Sequence, residues 1–483
     1  MAQQKATIEE LYTRYQQSSG VTEDPFELEP GSMYFAVKNR KPNTKTHLFI
    51  WNSWRMMELY APFLRKFAVR AGQRTRWAPE LEAALNRQYE GNAYVTDALQ
   101  NGASCAVVDM RLKHKPPQTL LVDDAIESLY DLARYHRKNI DCPIVAITGT
   151  MGKTTTTNLI HAVLNSELDT FINNGRNTPH GQSLNLLNMP LNSEAAVFEM
   201  GSVGLGIIRS SCEIARPTHG IITAVDYAHL DTFKDLDTIK RSKWEMFDFL
   251  NETGGQVLLN TNHPWLASQA SRVPKAIRYG SQSDNDVMGE LMSADPFLRV
   301  RWFPLKGEEP IEIQTKLAGQ HNLDNVLGAI AVGINFGISP ASIKRALENF
   351  RPITDRSDIF YSGSNMIYNE SFSSTPASTM ANLKSFSQYS SKEKLLILGP
   401  LSRTPSDHPV YEKTIDLIEA LNFDQVILLG DRWDRFKSRN VAIHMSGRAD
   451  VKAWLEENPL ADACIMIKAY TEYDLKSLFK PDI

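Results

Sequence analysis

The stretch Ile147-Thr148-Gly149-Thr150-Met151-Gly152-Lys153-Thr154-Thr155-Thr156 has the residue types of a phosphate cradle. Gly149 and Gly152 let the backbone turn tightly, so that its N–H groups face an anion. Lys153 brings a point charge to the β- and γ-phosphates of a nucleotide. Thr154 offers its hydroxyl to Mg²⁺, and the helix N-terminus that follows adds partial positive charge. The full Walker pattern has a glycine five residues before Gly152. Ile147 stands there, so the loop is a variant. The bland alternative is an ordinary strand, turn and helix with a chance Gly-Lys-Thr. Two residues downstream fit the same chemistry. Glu199 ends the apolar run Ala195–Phe198, where a carboxylate can hold Mg²⁺ opposite Thr154. His229, in Tyr227-Ala228-His229-Leu230, could hold a second divalent ion as a neutral imidazole. Lys243, in Arg241-Ser242-Lys243-Trp244-Glu245, reads on its own as an exposed helix lysine, and Glu199 on its own as a solvated strand end.

Positioning these side chains requires a particular order of elements. Pro143–Thr148 is a Val/Ile-rich buried strand running into the glycine loop, and Thr154–Leu164 is the helix after it. Further strands are predicted at Ala195–Met200, Gly220–Ala224 and Gly255–Asn260. Strands alternating with helices imply a doubly wound parallel sheet over residues 141–350. Residues 1–140 read as a smaller α/β block, with helices at Thr7–Gln17, Tyr94–Gln100 and Asp123–Lys138 and strands at Ser32–Lys38 and Ala103–Asp109. Residues 351–483 repeat the alternation in a Rossmann-like block that lacks GxGxxG. Its strands are Met366–Tyr368, Lys394–Leu398, Gln425–Leu429 and Cys464–Ile467, and its helices are Ala377–Phe386, Val410–Leu421 and Val451–Glu456.

The whole chain agrees with this division. At ~150 residues per domain, 483 residues make roughly three domains. Lys plus Arg total 52 against 56 for Asp plus Glu, a net charge of −4, which argues against a nucleic-acid binder. Four scattered cysteines make neither a disulfide framework nor a zinc cluster. The polar start has no signal-peptide core, and no apolar run is long enough to span a membrane. The expectation is a cytoplasmic protein.

The parts together resemble the Mur ligase family. Ile147–Thr156 is similar to its phosphate loop, Phe198-Glu199-Met200-Gly201 to its EMG segment, and Thr223–Leu230 with Ser242–Glu245 to its strand–AHL–helix order. Leu317-Ala318-Gly319-Gln320-His321-Asn322-Leu323-Asp324-Asn325 resembles its GxHNxxN helix start. Pro352–Asp358 resembles its P-x-x-GR segment, and Ile397–Pro400 and Ile465–Lys468 its C-terminal strand ends. Thr7–Tyr12, Glu29–Val37, Glu90–Asp109 and Leu132–Arg137 most resemble the branch that adds D-alanyl-D-alanine to a UDP-muramoyl tripeptide. The resemblance implies a three-domain α/β architecture of donor, P-loop ATP and nucleotide-closing domains. It also implies an ATP- and Mg²⁺-dependent ligase joining a carboxylate donor to an amine acceptor through an acyl phosphate, in cell-wall peptide synthesis, as a monomer. Lys153 and Arg356 would neutralise charge. Thr154 and Glu199 would hold one ion, and His229 the second. Lys243 matches a lysine carbamylated in relatives. Asn322 and Asn325 match an adenine-contacting helix start, with an N-cap and polar helix face as the plainer reading. Glu370 falls where relatives have an Asp that contacts nucleotide.

Four departures point to altered substrates. Thr22-Glu23-Asp24-Pro25-Phe26 lacks the usual Ser-Arg pair. Met151 replaces an Asn. Gly201–Ile208 has lost its acid. Glu370-Ser371-Phe372-Ser373-Ser374-Thr375-Pro376 replaces a segment with two Asn side chains. An insertion at 41–89 is also unusual. From Trp51 to Tyr89 it has seven basic residues against three acids, with a helical stripe Met57, Tyr60, Leu64, Phe67 and Ala71. It reads either as a cover for an anionic substrate or as a helical hairpin. Competing functions are folyl- or polyglutamate-type ligation and an ATP-binding partner or regulatory module derived from a Mur enzyme.

Overall fold

The computed structural model describes residues 5–25, 28–37, 91–112, 116–173, 175–304, 309–352 and 356–479. The 41–89 insertion therefore lies outside the described residues, as do Phe26 and Ile353–Asp355. The chain divides into two compact units. One is Met1–Asp141 with Thr178–Leu191 and Glu213–Arg216, and the other is the remainder.

The first unit is built on a four-stranded parallel sheet of β1 (Val21–Thr22), β2 (Met33–Phe35), β3 (Cys105–Val108) and β4 (Thr119–Leu121), in that order. β2 and β3 are buried at every residue, which suits apolar runs in a parallel sheet covered on both faces. The helix Ile8–Gln16 starts where the Thr7 hydroxyl accepts a hydrogen bond from Glu10 N. The helix Ala125–Arg137 starts where Asp124 accepts from Ile126 N and Glu127 N. A later helix, Pro179–Leu187, joins this unit: Tyr15 Oη donates to Leu187 O (2.7 Å) and Asn188 Oδ1 accepts from Val21 N (2.8 Å).

The second unit contains two sheets. The larger comprises β5 (Ile144–Thr148), β6 (Thr170–Ile172), β7 (Ala195–Glu199), β8 (His219–Ile222), β9 (Gln256–Asn260), β10 (Ile277–Gly280), β11 (Val287–Ser293), β12 (Phe297–Phe303) and β13 (Ile311–Ala318). Its order is β13-β12-β11-β10-β9-β8-β5-β7-β6. The strands from β6 to β11 are parallel, as the alternating pattern predicts. β12 and β13 are antiparallel additions that the purely parallel expectation lacked. β5 lies between β7 and β8, so the chain leaves it in opposite directions. The loops beyond these three carboxyl ends therefore meet at a topological switch point. Below the switch point, Leu159, Ile160, Val163 and Leu164 of the helix Lys153–Leu164 pack on Val145, Ile147 and Val197. Truncating such fully buried leucines costs about 2–5 kcal/mol.

The second sheet comprises β14 (Asp358–Ser362), β15 (Asn365–Asn369), β16 (Glu393–Leu398), β17 (Gln425–Leu429), β18 (Ile443–Met445) and β19 (Ala463–Lys468). Its order is β14-β15-β19-β16-β17-β18, parallel except for β14. Ile367, Leu395, Ile397, Ile427, Ile465 and Ile467 form its separate core. The architecture is α/β, with a P-loop sheet and a Rossmann-like sheet.

Candidate active site

The glycine loop follows β5 and enters the helix Lys153–Leu164. Gly149 has φ +148°, and a Cβ there would lie 2.1 Å from Thr223 Oγ1. Gly152 has φ +77°, and its Cβ would lie 2.6 Å from Asn325 Oδ1. Only glycine meets both demands without strain. The loop is strapped to the segment after β8. Thr150 N donates to Ala224 O (2.9 Å), Asp226 N donates to Thr150 Oγ1 (3.0 Å), and Thr223 Oγ1 donates to Met151 O (2.6 Å). The hydroxyl of Thr150 is thus spent on shaping the loop. Thr155 is half-buried in the first turn of the helix.

Thr154 and Glu199 meet as expected. Thr154 Oγ1 donates to Glu199 Oε2 at 2.6 Å, and Asn177 Nδ2 donates to Glu199 Oε1 at 2.9 Å. Asn173 fixes the Glu199 backbone through both its amide atoms. A hydroxyl and a carboxylate at hydrogen-bond distance are the hard oxygen donors that Mg²⁺ takes alongside phosphate and water. Among the described residues, no group of three or more His, Cys, Asp or Glu forms a metal cage.

His229 sits at φ +52°, an uncommon conformation for a non-glycine residue, and its Nδ1 is buried without a partner. Burial, then Arg403, Lys153 and Lys243, push its pKa down to about 2. It is a neutral imidazole with an orphaned nitrogen, as a metal ligand must be. Lys243 is buried in the helix Leu236–Thr253, not exposed as its local sequence suggests. Burial and the like charge of Lys153 push its pKa down to about 7, against the pull of Glu245 and Glu199. Much of it is therefore a free amine near neutrality, the form that can add CO₂.

Lys153 is held below the usual lysine range by burial and by Arg356, while Glu199 acts the other way. Arg356 is itself mostly removed from water, senses Glu199 and Glu370, and lies with its guanidinium carbon 3.5 Å from the Phe372 ring centroid. Its Nε is buried without a partner.

Asn322 and Asn325 reach the loop from behind. Thr156 Oγ1 donates to Asn325 Oδ1 (3.0 Å), and Asn325 Nδ2 donates to Asn322 Oδ1 (2.8 Å). Asn322 Nδ2 donates to Ala318 O (2.7 Å) and Ser357 Oγ (3.2 Å). Asn322 makes no side-chain cap, which corrects the plainer reading of the pair. Glu370 Oε1 accepts from Ser357 N (2.7 Å), Ser357 Oγ (2.8 Å) and Tyr368 Oη (3.2 Å), and Oε2 faces Lys468 Nζ at 3.7 Å. The amides and this carboxylate oxygen are thus committed inside the protein. The sequence did not single out Asn177, Thr223, Ser357 or Phe372. Asn177 lies in no motif, and Thr223, Ser357 and Phe372 lie within longer family-like stretches without a role of their own, so only the fold brings them here.

Residues 147–333 match the Mur ligase middle domain. The chain is 26% identical over 409 residues to the UDP-N-acetylmuramoyl-tripeptide–D-alanyl-D-alanine ligase of Bacillus subtilis, covering 81% of this chain and 88% of that one. The Escherichia coli enzyme of the same name is 23% identical, covering 72% and 77%. The fold superposes on MurF from Acinetobacter baumannii with a TM-score of 0.77 at 18% identity, covering 99% and 98%. MurF from Thermotoga maritima in complex with ADP gives 0.73 at 17%, covering 96% of each chain. The loop, the paired Thr154 and Glu199, the half-buried His229 and the buried Lys243 all lie inside the segment that matches the Mur ligase middle domain.

Proposed function

We propose that this MurF-like ligase joins a carboxylate donor to an amine acceptor at the expense of ATP, releasing ADP and phosphate. The observation that carries the reading is the gathering of Lys153, Arg356 and the Thr154–Glu199 pair around one glycine loop, beside a neutral His229 and Lys243. A carboxylate oxygen attacks the γ-phosphorus and the bond to ADP breaks, leaving an acyl phosphate. The amine then attacks the acyl carbon, the carbon–oxygen bond breaks, phosphate leaves, and the amine proton passes to solvent. The first step brings two anions together, so charge neutralisation at the phosphates supplies much of the catalysis. Lys153 and Arg356 do this from opposite sides of the chain order, and the loop N–H groups and helix N-terminus add to it. Mg²⁺ ions, held by Thr154 and Glu199 and by His229 with a carbamylated Lys243, would neutralise and orient the phosphates. Residues 1–140, 141–350 and 351–483 are the proposed donor, ATP and closing domains, acting in the cytoplasm. No helix among the described residues is long and apolar enough to cross a membrane.

The donor is proposed to differ from that of the named relatives. Where the branch has its Ser-Arg pair, Asp24 N donates to Thr22 Oγ1 (3.0 Å) in a local turn. Glu23 is buried there against His180. An acid paired with histidine does not do the work of an arginine facing a nucleotide sugar. Incubation with ATP and a panel of carboxylates and amines, read as acceptor-dependent ADP release, tests this. Efficient use of the UDP-muramoyl tripeptide with D-alanyl-D-alanine would sink the altered-substrate reading. No turnover with any pair would leave an ATP-binding module.

A further inference from the structure

Arg356 needs an explanation for its position. It follows three residues outside the described set and precedes Ser357, which is buried at φ +48°. A serine in the left-handed region costs energy and persists only when its surroundings over-determine it. Here they do. Both Ser357 donors, N–H and Oγ–H, go to the single oxygen Oε1 of Glu370, and Ser357 Oγ accepts from Asn322 Nδ2. Asn322 continues through Asn325 to Thr156 in the phosphate-loop helix, so a hydrogen-bonded path of 3.2 Å or less per step joins that helix to the residue beside Arg356. Two residues beyond Glu370, Phe372 provides the ring against which the guanidinium lies. Glu370 is kept ionised against its burial by Lys468, His321 and the Ser357 bonds, so it is an acceptor only.

We propose that Glu370 is a positioning residue that, through Ser357, holds Arg356 at the phosphate loop, and that Phe372 completes the seat. The proposal rests on the ligase reading for Arg356 as a reader of the γ-phosphate. It gives the divergent 370–376 segment a role in place of direct nucleotide contact by its acid.

The test compares binding of ADP and of its γ-phosphate-bearing, non-hydrolysable analogue adenylyl imidodiphosphate to the full chain with Mg²⁺, by calorimetry. Arg356→Ala and Glu370→Ala are each expected to weaken the analogue about 10- to 100-fold, the range for hydrogen bonds to charged groups. ADP should change by no more than about 2-fold, and the double variant should match Arg356→Ala alone. Glu370→Gln, which keeps an acceptor oxygen for Ser357, should restore most of the loss. Equal weakening of both nucleotides, or losses that multiply in the double variant, would overturn the proposal. If Glu370→Ala does not fold, Ser357→Gly removes the hydroxyl at a φ that glycine accepts. The same selective loss is expected there, and unchanged analogue binding overturns the proposal. The comparison needs no turnover. A chain with this binding pattern that joins no acceptor would remove the ligase reading and leave the inference standing.

Discussion

Lys243 and His229 are the residues whose chemistry depends most on the fold around them. The run Arg-Ser-Lys-Trp-Glu gives Lys243 every local reason to be exposed. It is buried because its helix face also carries Ile239, Met246 and Phe247, which the core requires. Only the family resemblance marked it as functional, since burial of a lysine is a tertiary fact. With a folded pKa of about 7 against 10.5, the native state binds fewer protons than the unfolded chain between those values. Stability from this group therefore rises with pH across that window and is lost as pH falls towards 7. Lys243→Met should raise the melting temperature at pH 7 and below, and abolish turnover. A variant no more stable than the parent at low pH would contradict the assigned burial cost. For His229 the window is about 2 to 6.5, and its contribution likewise falls as pH drops below 6.5. His229→Gln should flatten the acid limb of melting temperature against pH. Lys153→Ala removes a charge from the transferring phosphoryl group and should cut turnover by about 10²–10³-fold, measured as acceptor-dependent ADP release.

At the scale of elements, the glycine loop and its flanks were legible because several signals coincide. A Val/Ile strand, two glycines and a helix occur in register, and Glu199 and His229 each end or follow a strand that neighbours β5. β12 was not anticipated. Its residues alternate buried and accessible, and its accessible face carries Arg299 and Arg301, which pair across the sheet with Glu312 and Glu290. Those pairings join consecutive strands, but arginines and glutamates alternating with apolar residues leave a local composition that reads as a charged connection. The strap between the loop and Thr223 was illegible because its partners lie 72 residues apart in the chain. It gives a sharp expectation: Gly149→Ala places a methyl group against Thr223 Oγ1 in a backbone conformation that alanine resists. It should cost about 1–3 kcal/mol of stability and weaken ADP binding. Thermal unfolding with and without ADP would show both, and an unperturbed variant would mean that the loop conformation is not required.

Across the whole molecule, the described residues form three sheets, each with its own core, within two compact units. Segments 178–191 and 213–216 nonetheless fold with the first unit, although they come from the second block in sequence. The overall charge of −4 says little about the site, where the cationic side chains of Lys153 and Arg356 come close to one another. The central claim is that this arrangement drives ligation through an acyl phosphate. It is tested most directly with a donor from the substrate panel whose carboxylate carries oxygen-18. Attack of that carboxylate on ATP, followed by cleavage of the acyl carbon–oxygen bond, predicts one labelled oxygen in the released phosphate for each amide bond formed. Amide formation with unlabelled phosphate, or ADP release that does not depend on the amine, would contradict the account.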